Sequence, residues 1–227
     1  MREESPYMQS LKAAAPIMAG SVAIGLACGF MESHIGMNAL MAFCMSMTFY
    51  SGAGQFMIAG MWLAGSALSS IIASVSFVNT RQVLYSAAFA PYFEKVSRGL
   101  TFLFSATVTD ESFGVNMRKY QEGDWDAKRA LFVNLFSMTS WGVSNAVGVL
   151  LGDAMAIPTA IAAFAMTSIF ICLLTTQKWN KTNIVVAAVS MAGVLFFKFV
   201  GLGGAAILLG ACVGVGVGWA RWAVSRR

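Results

Sequence analysis

Between Glu32 and Glu94 the sequence carries one formal charge, the guanidinium of Arg81, and the residues around it run apolar for lengths that suit a lipid bilayer. A charge left inside such sequence costs roughly 2.5 to 3.5 kcal/mol on insertion scales and is rare without a task. A second stranded pair, Asp110-Glu111, ends an apolar run that begins at Gly99. Only 11% of the residues are charged and 58% are hydrophobic, against roughly a quarter charged in ordinary soluble domains. A soluble fold could not cover its surface with so few charges. A transmembrane β-barrel needs alternating segments of about ten residues, whereas these runs are continuous and rich in Ala, Gly, Met and Leu. The expected fold class is an all-α polytopic membrane protein.

The net charge of +5 does not point to nucleic acid, because the Lys and Arg residues stand at the ends of apolar runs and not in a stripe interleaved with aromatics. It reads as topology control in a lipid bilayer. Cys28, Cys44, Cys172 and Cys212 each lie inside an apolar segment with no CxxC pair, and so read as small buried hydrophobes with no metal or redox cofactor. The opening residues carry mixed charge and lead into a span without a clean cleavage site, which reads as a retained first helix.

Apolar windows of about twenty residues place spans near 13–31, 36–64, 66–91, 99–116, 130–151, 155–175, 184–200 and 203–222, eight in all. Two of them are interrupted, at Ser51-Gly52-Ala53-Gly54-Gln55 and at Asn79-Thr80-Arg81-Gln82, which predicts discontinuous helices whose freed backbone groups face protein or a wet cavity. The segment Arg118 to Arg129 holds four Lys or Arg residues and marks the cytoplasmic side. The turns at Glu32 to His34 and at Asp153 have none, so both termini come out cytoplasmic. Two cations in the Glu94 to Arg98 loop, on the outside in this count, leave a re-entrant hairpin at 99–116 as the alternative. Ser46-Met47-Thr48-Phe49-Tyr50 recurs as Ser137-Met138-Thr139-Ser140-Trp141. That echo suggests one membrane domain over 1–227, with inverted repeats at 13–91 and 99–175 and extra spans over 184–222.

In transporters built this way a ligand sits where helices unwind, with N–H groups of a half-helix attracting an anion. Ser51, Gly52, Gly54 and Gln55 have that chemistry, and small-residue packing between helices is the alternative. Arg81, whose pKa exceeds about 12, needs a carboxylate, carbonyls or an anionic ligand within the membrane, unless it snorkels to an interface. Its protein partners would be Asp110 and Glu111, which on a helix point about 100° apart. A carboxyl in a dry setting can hold a proton at physiological pH, so this pair is the expected proton-coupling element; solvated acids at a span end are the alternative. His34 and Asp153 read as turn residues, and Pro16 and Pro158 as helix-start prolines.

At these same motifs, Ser51-Gly52-Ala53-Gly54-Gln55-Phe56, Asn79-Thr80-Arg81-Gln82-Val83-Leu84-Tyr85 and Thr109-Asp110-Glu111-Ser112-Phe113, the chain resembles the AzlC family of bacterial inner-membrane permeases. The resemblance covers nearly the whole chain. It implies export of leucine, isoleucine, valine and methionine by the larger subunit of a two-component exporter, with a small AzlD-type membrane partner. Relatives often carry Asp and His where this chain has Asn79 and Gln82, which moves the expected proton carrier to Asp110 and Glu111. Arg81 and the N–H groups near Gly52 to Gln55 would take the carboxylate of a hydrophobic amino acid. Asn79, Tyr85 and Phe113 would complete the site. A channel-like or structural subunit whose partner holds the site is the rival reading. An enzyme is disfavoured: the sequence has no His-rich cluster, nucleophile elbow or P-loop.

Overall fold

The computed structural model describes residues 5–154, 180–201 and 205–225, with the single positions 164, 167, 168, 171 and 175. Among the described residues every regular element is a helix: α1 (Pro6–His34), α2 (Ala39–Thr48), α3 (Gly52–Leu63), α4 (Leu68–Ala88), α5 (Ala90–Phe93), α6 (Arg98–Thr107), α7 (Asp110–Glu122), α8 (Ala127–Ala154), α9 (Lys181–Phe199) and α10 (Ala205–Ser225). Of these, α1, α8 and α9 are long and apolar enough to cross a membrane. Two compact units make up the chain, Met1–Phe56 with Asn79–Phe164, and Met57–Val78 with Ala165–Arg227.

The first unit is built on α1 and α8. Ser10 donates from Oγ to the Arg129 carbonyl oxygen at 3.1 Å, and Ser140 donates to that of Met18 at 3.2 Å. Contacts therefore advance together along both helices, which lie side by side in the same direction. That is the sense eight alternating spans give to the first and fifth. Without a hydrophobic drive between helices in lipid, such pairs depend on close backbone approach. Here Gly25 and Gly29 of α1 lie against Ser144 and Asn145 of α8, and Gly148 and Gly152 of α8 lie against Leu26 and Ser33 of α1. A Cβ at Gly29 would lie 1.9 Å from the Asn145 carbonyl oxygen, and one at Gly148 2.4 Å from that of Leu26. In the second unit the same device joins α9 to α10 in the opposite sense, with Gly210 against Val194 and Ser190, and Gly214 against Ser190 and the Val186 carbonyl.

Several expectations are corrected. Asn79 to Gln82 do not break a helix, because α4 runs through them without interruption. Polar side chains leave the backbone ladder intact, and nothing there removes an N–H or demands a positive φ. The second break falls instead between α6 and α7, at Val108 and Thr109, both in extended conformation. Glu32 and His34 lie in the last turn of α1 and not in an outside turn, and Asp153 lies within α8. Because α1 begins at Pro6, Pro16 stands in the helix interior. Cys28 is buried, but Cys44 and Cys212 sit on exposed faces. The span at 155–175, the end of the second repeat, Pro158 and Cys172 lie outside the described residues.

Candidate functional site

Each helix break leaves backbone groups without intrahelical partners, and both breaks of the first unit are resolved by amide side chains. At the first, between α2 and α3, the Tyr50 carbonyl accepts from Gln82 Nε2 at 3.2 Å. Ser51 caps α3: its Oγ accepts from the Gly54 N–H at 3.1 Å, and its carbonyl accepts from the Gln55 N–H at 2.9 Å. The same hydroxyl donates to Asn79 Oδ1 at 2.7 Å. At the second break Asn134, fully buried on α8, donates from Nδ2 to the Phe104 carbonyl at 3.3 Å and to Thr107 Oγ1 at 3.2 Å. Asn116 donates to Asn134 Oδ1 at 3.0 Å and accepts from Trp125 Nε1 at 3.1 Å. The Tyr50 side chain lies against Thr109 and within electrostatic reach of Glu111. The two breaks are therefore neighbours.

The uninterrupted α4 joins them. Asn79 and Gln82, three residues apart and so on one helix face, reach the first break. Arg81 and Tyr85, four apart, reach the second. Arg81 Nη1 stands 3.0 Å from Asp110 Oδ2, and the two side chains are 29% and 33% exposed. The Tyr85 hydroxyl donates to Asp110 Oδ1. Arg81 Nε is buried and has no partner among the described residues. Asp110 and Glu111 occupy the first turn of α7, where the helix dipole favours negative charge. Thr109 heads that helix, donating its own N–H to Ser112 Oγ at 3.0 Å. Tyr85 stacks on Phe113 with centroids 4.7 Å apart, at the edge of a buried cluster containing Phe89, Phe93, Phe104 and Val108.

The ion pair expected from sequence is thus present between Arg81 and Asp110, with Ser51, Asn79, Tyr85 and Phe113 around the two breaks. Glu111 is exposed, one residue on from Asp110. The other members of the first motif are engaged in packing. Gln55 is 0% exposed, donating from Nε2 to Ser46 Oγ at 2.9 Å and accepting at Oε1 from Trp141 Nε1. A Cβ at Gly52 would meet the Trp141 ring at 3.2 Å, and one at Gly54 the Phe49 ring at 2.8 Å. Sequence reasoning missed Asn116, Asn134 and Trp141. Their signal was amides and an indole inside or beside an apolar run, where a polar group must find a partner.

Replacing Asn134 by leucine removes its hydrogen bonds to the Phe104 carbonyl, Thr107 Oγ1 and Asn116. The Phe104 carbonyl keeps Thr107 Oγ1 and Asn116 Nδ2 keeps the Ala130 carbonyl, so the cost is about 0.5 to 1.5 kcal/mol for each bond lost. The purified variant is expected to melt several degrees below the parent. An unchanged midpoint would remove the bracing role.

An all-α chain with apolar helices of membrane length, and a partly buried Arg81–Asp110 ion pair beside two helix breaks, defines the class as a helical membrane protein. Residues 16–155 match the family described as AzlC protein, and the chain belongs to that family. It is similar to an uncharacterized membrane protein of Helicobacter pylori (strain 26695), 28% identical over 210 residues that cover 86% of this chain and 92% of that one. It is also similar to the inner membrane protein YgaZ of Escherichia coli K12, at 26% identity over 85% of this chain and 82% of the relative. The branched-chain amino acid transport protein AzlC of Bacillus subtilis is 23% identical, over 88% of this chain and 78% of its own length. No solved structure matches.

Proposed function

We propose that this chain is the large subunit of a secondary transporter that exports leucine, isoleucine, valine and methionine across the bacterial inner membrane in exchange for protons. A small AzlD-type membrane subunit completes it, and both termini face the cytoplasm with the basic segment 118–129. The observation that carries the reading is the Arg81–Asp110 pair at 3.0 Å, with a buried Arg81 Nε left over. An amino-acid zwitterion presents both charges that such a pair recognises. Its carboxylate takes the guanidinium, with Asn79, Ser51 and Tyr85 beside it. Its ammonium, or a proton, takes Asp110 or Glu111. The branched side chain lies along Phe113 and the aromatic cluster. Gly52, Gly54 and Gln55 shape the first break and set the position of Ser51. Likeness to a relative named as a branched-chain amino acid transport protein supports the substrate class.

The test is counterflow in proteoliposomes, with the chain alone and with its partner. Labelled leucine is expected to exchange with isoleucine, valine and methionine, and not with lysine or glutamate. Absence of exchange with every amino acid in the complex would overturn the reading. Exchange by the complex that is indifferent to Arg81→Ala would move the site to the partner.

A further inference from the structure

We propose that Glu32 is a proton-binding site of this protein, separate from the acidic pair at the start of α7. Glu32 stands in the last turn of α1 and is 1% exposed. Its backbone carbonyl accepts from the N–H groups of both Ile35 and Met37 at 3.2 Å, so the chain turns over it, with Gly36 at φ 82°. Glu32 Oε1 accepts only a weak bond from Cys28 Sγ at 3.8 Å, and Oε2 has no partner among the described residues. A carboxylate in that position would be a buried charge with neither a cation nor a full set of donors, and a group so placed neutralises by taking a proton. Asp110 differs, since both of its oxygens are engaged, one with Arg81 and one with Tyr85.

Among the described residues no Lys or Arg pairs with either oxygen of Glu32. On its own helix the titratable neighbours are Cys28 and the half-buried His34, whose Nδ1 lies 2.9 Å from the Phe30 carbonyl oxygen. From α8 the nearest acid is exposed Asp153, next to Gly152, where an added Cβ would sit 2.2 Å from Ser33 Oγ. The described sequence of α2 carries no acid or base. Of the five charged residues of α7, Asp110 and Glu111 stand in its first turn, and Arg118, Lys119 and Glu122 line a cavity of about 470 Å³ with Gln9 and Lys12 at the opposite end of α1. The site is therefore at the end of the α1–α8 pair away from the basic segment. A carboxyl with an unoccupied oxygen there can load and release a proton without breaking an ion pair.

The consequence for transport rests on the proton-exchange reading above, whereas proton occupancy does not, so the two are measured separately. Infrared difference spectra of the purified full chain in lipid nanodiscs, titrated with acid and base, are expected to contain a protonated-carboxyl band at neutral pH that Glu32→Gln removes and Cys28→Ala retains. Absence of that band, or its persistence in Glu32→Gln, overturns the proposal. In proteoliposomes holding both subunits, Glu32→Gln, which mimics the protonated acid, is expected to keep leucine counterflow within about twofold. It should lose more than about tenfold of leucine efflux driven by a pH gradient, since tenfold corresponds to about 1.4 kcal/mol of lost coupling. Equal effects on counterflow and gradient-driven efflux, or none on either, would reduce Glu32 to a structural role. Failure of the parent complex to move leucine at all would sink the transport reading while the infrared result still decides protonation.

Discussion

Arg81→Ala is expected to abolish leucine efflux, by at least about a hundredfold if the lost contacts are worth about 3 kcal/mol, while the protein still reaches the membrane. On the proposed reading, with Arg81 within the bilayer, removing its guanidinium lowers the cost of insertion by about 2.5 to 3.5 kcal/mol, so loss of function would not arise from failed insertion. The variant deprives Asp110 of its 3.0 Å partner and removes the open Nε donor. One partner missing from a well-buried ion pair costs about 3 to 5 kcal/mol. Side chains about a third exposed, as here, lose less because solvent screens them. The fold is therefore expected to survive. Asp110→Asn separates the roles, since an amide keeps a hydrogen bond to Arg81 and Tyr85 but not the charge. Whole-cell efflux and membrane abundance of the three proteins are the measurements. Normal efflux from Arg81→Ala would remove the carboxylate role.

The largest structural effect is expected at Gly29. An alanine there would place Cβ 1.9 Å from the Asn145 carbonyl oxygen, and the obstructing atoms are backbone that cannot rotate away. α1 and α8 must then separate, which releases the contacts at Gly25, Gly148 and Gly152 together. Overpacking typically costs about 1 to 3 kcal/mol, and more where the neighbour is rigid. Gly20, on the same helix with nothing within 4 Å, is the control: alanine there should be neutral or slightly stabilising, because Gly within a helix costs about 1 kcal/mol relative to Ala. Thermal unfolding of the purified proteins decides it. Equal midpoints for Gly29→Ala and Gly20→Ala would mean that the seam is not what holds the first unit together.

Arg81 and Asp110 were recognisable as a pair from sequence because each was a charge without local reason in an apolar run, and only an opposite charge or a ligand could compensate it. Ser51 was recognisable because a hydroxyl beside glycines in an apolar run offers donor and acceptor where the helix unwinds. The second break was misplaced for the same reason that the pair was found. Polarity marks where a side chain needs a partner, not where the backbone unwinds. The unwinding signal was Thr109 followed by Asp110 and Glu111, a capping residue and a negatively charged first turn, and that pattern competed with the more conspicuous Asn79 to Gln82. Gln55 looked available for a ligand, yet both ends of its amide are committed to Ser46 and Trp141. Trp141 is 86 residues away in the chain, beyond any local pattern.

What the amino-acid order determined alone was the class: continuous apolar runs with charges at their ends satisfy the backbone in lipid only as helices. It also determined which polar groups would be too costly to leave unpaired. Only the tertiary structure decided the pairings: that α4 stays whole and serves both breaks, that Asn134 closes the second, and that Glu32 is enclosed at the end of α1 with an oxygen unoccupied. The physical reason is range. Propensity and hydropathy act within a turn or a span, whereas a buried hydrogen bond is satisfied by whichever distant residue the packing of α1, α4, α7 and α8 brings within about 3 Å.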